Sequence, residues 1–169
     1  MLVIVIPVLL LDSPTRRGIF PKRIIAIAEI LIAQRAELIF PPFSTRIFIL
    51  GPAHHVYING CSVSGCDSYD TPLGELTLDS ELLRELANTG KFTWLSLKAD
   101  EDEHSIEMHL PYIYKAIERA GKSHKSVKIV PIVVGSISSA QEKTYGTLLK
   151  PYLEDPQNAF VISTDFCHW

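Results

Sequence analysis

Three short apolar segments of the sequence constrain its fold most strongly. They are RIFIL (46–50), VKIVPIVV (127–134) and AFVIS (159–163), and we interpret each as a buried strand. Segments with apolar residues at helical spacing lie between them, at 105–120 and 140–153. Uniformly apolar strands that alternate with helices are typical of parallel sheets buried on both faces. The sequence therefore predicts an α/β fold with a mostly parallel central sheet flanked by helices.

The composition fits one globular domain of ordinary size. The chain has 169 residues, of which 47% are hydrophobic and 21% are charged, so it can bury a core. Its formal net charge is −3, and the scattered lysines and arginines argue against a nucleic-acid surface. The three cysteines are odd in number and lack CxxC spacing, which favours a reducing, cytoplasmic compartment over a disulfide framework.

The first 44 residues differ in character from the rest. The apolar segment 1–11 is shorter than the about 20 residues that a membrane span needs, so we interpret it as a buried strand interrupted by Pro7. A polar break follows, and residues 26–38 fit a helix that the Pro-Pro pair at 41–42 would end. We therefore divide the chain into a divergent N-terminal segment, 1–44, and an α/β domain, 45–169.

The segment DEDEHSIEMHLP (100–111) concentrates more titratable and metal-ligating groups than any other. It leads into the helix predicted for 105–120, which Gly121 is placed to end. Pro111 should kink or split that helix, because it removes a backbone donor. The acids at 100–102 are interpreted as a solvated approach to the positive end of the helix.

Helical spacing assigns roles to the histidines of this segment. His104 and Glu107 are three positions apart and share a helix face. His109 lies roughly 140° around the helix from His104, so the pair fits neither the HExxH nor the HxxEH pattern of zinc peptidases. We expect His104 and Glu107 to contact the residues that bind the metal and so to fix their orientation. The alternative is a capped helix start with no role in a site.

The residues that follow the predicted strands are the best candidates for a functional site. In open α/β sheets, ligands bind outside the carboxyl ends of the strands. That rule selects the segments 51–55, 135–138 and 164–169, and two of these three contain histidine. No GxSxG elbow, P-loop or GxGxxG occurs in the sequence, so hydrolase and nucleotide-binding motifs are not supported.

Three residues at these strand ends are candidates for the site. His54 is the candidate metal ligand, since neutral imidazole binds iron, copper or zinc; the alternative is a loop histidine bonded to backbone, which is favoured for His55. Asp165 and His168 are candidate catalytic residues, because a carboxylate can orient an imidazole and histidine moves protons near neutral pH. The alternative for Asp165 is a turn or cap residue. Cys167, between them, is interpreted as an inert thiol.

The sequence resembles the Memo family, named for mediating ErbB-driven cell motility. The matching motifs are RIFILGPAHHV (46–56), DEDEHSIEMHLPY (100–112), IVPIVVG (129–135) and STDFCHW (163–169), in the same order. The resemblance implies a fold similar to class III non-haem iron extradiol dioxygenases, with a metal-type pocket at one sheet edge. It also implies two functions, an adaptor that recognises phosphotyrosine peptides or receptor-associated proteins, or a metal-binding redox protein.

Carried over residue by residue, the resemblance places His54 at a histidine ligand of the family pocket, and Asp165 and His168 at pocket residues. His168 also matches the acid/base histidine of the dioxygenases. No PHAGY motif occurs in residues 1–44, and the family's cysteine ligand belongs to a section beyond Trp169, so we expect a truncated gene model that binds iron or copper weakly. The expected function is a signalling adaptor in cell motility with a vestigial metal pocket. The alternatives are an iron- or copper-dependent oxidoreductase and a non-functional fragment.

Overall fold

The structure is a computed structural model that describes residues 2–6 and 44–164. Its strands are β1 (Leu2–Ile6), β2 (Arg46–Pro52), β3 (Cys61–Val63), β4 (Ser68–Thr71), β5 (Gly74–Thr77), β6 (Phe92–Trp94), β7 (Lys128–Val134) and β8 (Asn158–Thr164). Its helices are α1 (Ser80–Asn88), α2 (Leu97–Glu101), α3 (His104–Glu107), α4 (Leu110–Arg119) and α5 (Ser139–Glu154), with a 3-10 turn at His124–Ser126. All three strands predicted from the apolar segments are present, as β2, β7 and β8.

Six of the strands form one sheet, in the order β1-β8-β2-β7-β3-β6, and β4 and β5 form a separate hairpin. Strand β2 pairs in parallel with both β7 and β8, and β3 pairs in parallel with β6. The antiparallel pairs join β1 to β8 and β3 to β7. The centre of the sheet is therefore parallel, which confirms the predicted α/β fold.

The core lies along the central strands. Ile47, Phe48 and Ile49 of β2 are fully buried, as expected for a strand covered on both faces. The Phe48 ring stacks on that of Phe160 in β8, with centroids 4.5 Å apart. The helices add buried leucines and isoleucines to the same core, namely Leu82, Leu83, Leu86, Ile106, Leu110, Ile113 and Ile117. Each such side chain contributes about 1.5–3 kcal/mol when it leaves water.

A buried aspartate joins helix α1 to the sheet. Asp79 caps the helix, because its Oδ1 accepts a hydrogen bond from the Leu82 N–H at 3.4 Å. Its Oδ2 accepts one from Nε of Arg46, at the start of β2, at 2.7 Å. Burial alone would raise the pKa of Asp79, but the contacts with Arg46, the Leu82 N–H and Lys128 together outweigh it and lower the pKa. The predicted cap is thus confirmed, and it also fixes the helix to the central strand.

The helix predicted for 105–120 is split in two. Helix α3 ends at Glu107, and α4 begins at Leu110 with Pro111 in its first turn. Proline fits there because the first turn of a helix has N–H groups without helical partners. Gly121 follows the second helix with φ of 69°, a conformation that favours glycine.

Gly135 brings the loop after β2 against the end of β7. Its N–H donates to the Gly60 carbonyl at 2.9 Å, and the next residue, Ser136, donates to the Ile58 carbonyl at 2.8 Å. A Cβ atom at position 135 would overlap that Ile58 carbonyl group. Glycine is therefore required for the loop that contains His54 to close over the sheet edge.

Predictions for the first 44 residues are tested only in part. The strand expected within 1–11 is present as β1, whereas the helix expected at 26–38 lies outside the described residues. Among the helices of residues 44–164, none is both long and apolar enough to cross a lipid bilayer.

Candidate metal site

The carboxyl ends of the central strands share one edge of the sheet. Pro52, the last residue of β2, pairs with Val134, the last residue of β7. The parallel register of β8 with β2 brings the end of β8 to the same edge. The N–H of Ala53 donates to the Val134 carbonyl at 2.9 Å, so the chain leaves β2 in a fixed direction. His54 and His55 therefore lie where ligands bind in folds of this class.

One buried carboxylate, that of Glu103, fixes His54 at this edge. Its Oε2 accepts a hydrogen bond from the His54 backbone N–H at 2.7 Å, and its Oε1 contacts His54 Nδ1 at 2.9 Å. Oε1 also accepts the Ser105 N–H at 3.1 Å, which caps helix α3. Glu103 is 2% exposed. A single side chain thus connects the loop after β2 to the start of α3.

The hydrogen bonds determine the charge of Glu103 and the tautomer of His54. Burial alone would raise the pKa of Glu103, but the hydrogen bonds from His54 and Ser105 outweigh it and hold the pKa at about 2. The side chain is therefore a carboxylate at neutral pH and can only accept hydrogen bonds. His54 Nδ1 must donate to it, so in the neutral ring Nε2 is the nitrogen with the lone pair. This is the carboxylate–histidine arrangement that orients histidine ligands in metalloproteins.

Two further imidazoles lie next to that of His54. The centroids of the His54 and His104 rings are 4.3 Å apart, and His55 Nε2 lies 3.3 Å from His104 Nδ1. Potential ligand atoms of His54, Glu103 and His104 all lie within 4.8 Å of one another. The His54 side chain is 21% exposed and that of His104 is 43% exposed, so ions in solution can reach them. This donor set of imidazoles and one carboxylate suits iron, copper or zinc.

Comparison with known proteins places the chain in a family. The family described as "Memo-like protein" matches residues 28–169. The chain belongs to the Memo family. This assignment confirms the resemblance carried by the motifs at the strand ends.

Curated relatives of this Memo-family chain come from several animals. It is 49% identical over 138 residues to "Protein MEMO1" of Homo sapiens. The matched residues are 81% of this chain and 45% of the human protein. It is 45% identical over 158 residues to "Protein MEMO1" of Danio rerio, covering 93% and 52%. The "Protein memo-1 homolog" of Caenorhabditis elegans is 47% identical over 124 residues, covering 73% and 34%. The chain thus spans about half the length of the vertebrate relatives.

The site contains two histidines that were expected from the sequence and a carboxylate that was not. His54 and His104 come together, as described above. Glu107, which was expected beside His104, is exposed, because the inward side of α3 carries Ser105 and Ile106. The carboxylate in contact with the histidines belongs to Glu103. Its signal in the sequence is its position directly before a helix, where a carboxylate caps the first turn.

Two expected site residues, Asp165 and His168, lie outside the described residues, and so does Cys167. Strand β8 ends at Thr164, directly before them. They follow a strand whose carboxyl end lies at the same sheet edge as His54. Their assignment as catalytic residues stays a prediction.

The acids that precede Glu103 are not all solvated. Asp100 is half-buried, and its oxygens accept hydrogen bonds from the hydroxyls of Ser64 and Tyr69, each at 2.5 Å, and from the Cys66 thiol at 3.5 Å. Burial and the nearby charge of Asp100 both raise the pKa of Tyr69. The prediction of a solvated segment is therefore wrong for Asp100. This residue holds α2 against the segment around β3 and β4, whereas Asp102 is exposed and pairs with Lys98.

Proposed function

We propose that this Memo-family chain binds a transition metal, iron or copper, through Nε2 of His54. The observation that carries the proposal is the contact between His54 Nδ1 and the buried Glu103 carboxylate at 2.9 Å. Such a contact fixes the ring orientation and raises the basicity of the other nitrogen, which strengthens a metal bond. A histidine whose ring made no such contact would have neither advantage.

The other residues have distinct proposed roles. His104 places a second imidazole beside the first, with ring centroids 4.3 Å apart. That ring packs against His54 and would help to hold its orientation, which is the role expected for His104 from the sequence. Asp165 and His168, which follow β8, are proposed to orient and move protons at this sheet edge. A bound iron or copper ion would supply redox chemistry, and the chain would then belong to an oxidoreductase.

Metal binding by the purified 169-residue chain tests this proposal. Equilibrium dialysis against Fe²⁺ without oxygen, and against Cu²⁺, should load the wild-type chain, whereas His54→Ala should bind one equivalent less. Glu103→Gln should weaken binding about 10- to 100-fold, because it removes the carboxylate that orients the ligand. His124→Asn is the control, since His124 contacts Tyr114 away from the site. Equal metal content in the wild-type and His54→Ala chains would refute the proposal.

A second candidate function is a signalling adaptor. The two segments that contain the histidines also expose apolar side chains: Val56 and Tyr57 at 39% and 84%, and Met108 and Tyr112 at 54% and 69%. Large exposed apolar patches are typical of protein-binding surfaces, and we propose that these four side chains contribute to one. They support the expected role in cell motility, in which phosphotyrosine peptides or receptor-associated proteins bind here. The free thiols of Cys61 and Cys66 are consistent with the proposed cytoplasmic location.

Peptide binding tests the adaptor role separately. Fluorescence anisotropy with a receptor-derived phosphotyrosine peptide should give saturable binding that the unphosphorylated peptide lacks. Tyr57→Ser should weaken it, because Tyr57 is the most exposed of these four side chains. Equal affinity for both peptides would argue against phosphotyrosine recognition and leave the metal proposal untouched.

A further inference from the structure

His55 and His104 form a pair that the proposed site at His54 does not require. His55 follows β2 directly after His54, whereas His104 begins α3, 49 positions later in the chain. The nitrogen Nε2 of His55 lies 3.3 Å from Nδ1 of His104. The two rings meet nearly edge to face, with centroids 5.4 Å apart and an interplanar angle of 85°.

We propose that His55 and His104 form a second metal site, for a divalent cation that prefers imidazole, such as Cu²⁺ or Zn²⁺. Two imidazole nitrogens bound to one ion at about 2.0–2.1 Å are separated by about 3.3 Å in the tetrahedral geometry of Zn²⁺, and by about 2.9 Å at neighbouring square-planar positions of Cu²⁺. The separation of His55 Nε2 from His104 Nδ1 has the tetrahedral value before any ion is added, so Zn²⁺ fits directly and Cu²⁺ fits after a shift of a few tenths of an ångström. The site goes beyond the metal proposed at His54 Nε2, because it uses different nitrogen atoms.

The charge around the pair favours a cation. The Glu103 Oε1 atom lies 3.8 Å from His104 Nδ1. This carboxylate accepts hydrogen bonds from the backbone N–H groups of His54 and Ser105, which favours its negatively charged form. The carboxylate is 2% exposed, so water screens it poorly. A cation held by the two imidazoles would be attracted to this charge, whereas an anion would be repelled.

The backbone holds both ligands before metal arrives. The loop is fixed by the hydrogen bond from the His54 N–H to Glu103 at 2.7 Å, one residue before His55. The helix start is fixed by the bond from the Ser105 N–H to the same carboxylate, one residue after His104. Preorganised ligands raise metal affinity, because little ordering remains to be done on binding. His55 is exposed and the His104 side chain is 43% exposed, so water can fill the remaining coordination positions.

A hydrogen bond between two neutral imidazoles would give the same nitrogen separation, so the experiment has to detect the ion itself. Titration of the full 169-residue chain with Cu²⁺, followed by electron paramagnetic resonance, counts bound ions and their nitrogen ligands. The wild-type chain should bind two equivalents. His55→Asn and His104→Asn should each weaken one of them at least tenfold, since losing a ligand costs no less than losing its orienting partner.

Three comparisons decide the outcome. His54→Asn should keep an equivalent with two nitrogen ligands, and His124→Asn should keep both. If His55→Asn leaves both equivalents and the spectrum unchanged, or if His54→Asn and His55→Asn abolish one shared equivalent, the second site is refuted. If His54→Asn binds as many equivalents as the wild-type chain while His55→Asn loses one, the second site is supported and the proposal for His54 is refuted. Because His55 is exposed, its replacement should leave the thermal melt of the chain unchanged.

Discussion

Replacing Glu103 with glutamine should destabilise the folded chain far more than its small chemical change suggests. The carboxylate uses both oxygens: Oε2 accepts from the His54 backbone, and Oε1 from the His54 ring and from the Ser105 N–H. Glutamine has one carbonyl oxygen and one NH₂ group. Whichever way its amide is turned, the NH₂ group faces a backbone N–H inside the protein, and at least one buried donor loses its acceptor.

Two physical effects give a similar value for the loss of stability in Glu103→Gln. A buried donor without a partner costs about 1–3 kcal/mol, and more where the lost partner carried a charge. The pKa of Glu103 falls from an ordinary value of 4.5 to about 2 on folding, and at about 1.36 kcal/mol per pKa unit this difference corresponds to about 3 kcal/mol at neutral pH. Water screens this contribution little, because Glu103 is 2% exposed. We expect Glu103→Gln to lose about 3 kcal/mol at pH 7.

The pH dependence provides a sharper test than the loss alone. Because folding lowers the pKa of Glu103, its contribution is complete above the unfolded pKa of 4.5 and disappears as the pH falls towards 2. The stability difference between wild type and Glu103→Gln should therefore fall from about 3 kcal/mol at pH 7 to about 1.5 kcal/mol at pH 3. Urea unfolding followed by tryptophan fluorescence at both pH values measures this difference.

Glu107→Gln is the matched control, since it makes the same chemical change at an exposed position of the same helix. It should change the free energy of unfolding by less than about 0.5 kcal/mol. The reasoning would be refuted if the two variants were equally stable at pH 7. It would also fail if the loss in Glu103→Gln were the same at pH 3 and pH 7.

Other substitutions test the rest of the structure by thermal or urea unfolding. Asp79→Asn should lose about 1–3 kcal/mol, because it removes the buried charge that pairs with the arginine of β2; unchanged stability would mean that solvent screens the pair. Tyr69→Phe should lose about 1–2 kcal/mol by removing a donor to Asp100, and an identical melt would contradict that contact. Gly135→Ala should lose about 2–4 kcal/mol through overlap with a backbone carbonyl, and wild-type stability would show that the loop can move away. In contrast, Gly146→Ala within α5 meets open space and should gain about 0.5–1 kcal/mol; a loss there would count against the helix.

The fold was predictable where one physical effect dominates a continuous stretch of sequence. The segments that became β2, β7 and β8 are apolar except for Arg46, Lys128 and Ser163 near their ends, because a strand buried on both faces has no solvent side. The split near Pro111 was predictable because proline lacks a backbone donor. The rule of strand ends likewise placed His54 at the correct edge, since it depends only on strand direction.

The part of the site that was not predicted depends on contacts between distant segments. Glu103 meets His54 across 49 positions, and Asp100 meets Tyr69 across 31. Helical spacing compares only residues on the same helix, so it favoured Glu107 as the neighbour of His104. Both acids also resemble ordinary solvated residues at a helix start. Only the three-dimensional packing distinguishes a carboxylate that caps a helix in water from one that faces a histidine of another segment.

The strand order of the sheet has a consequence for how the chain is made. Strand β8 lies between β1 and β2, although it is the last of the described strands in the sequence, and its Asn158 pairs with Arg46 across 112 positions. Contacts between such distant positions form slowly. Until residues 158–164 leave the ribosome, β2 is an edge strand with exposed hydrogen-bonding groups, a condition that promotes aggregation. During that period the nascent chain has an unpaired strand edge to which strands of other chains can pair.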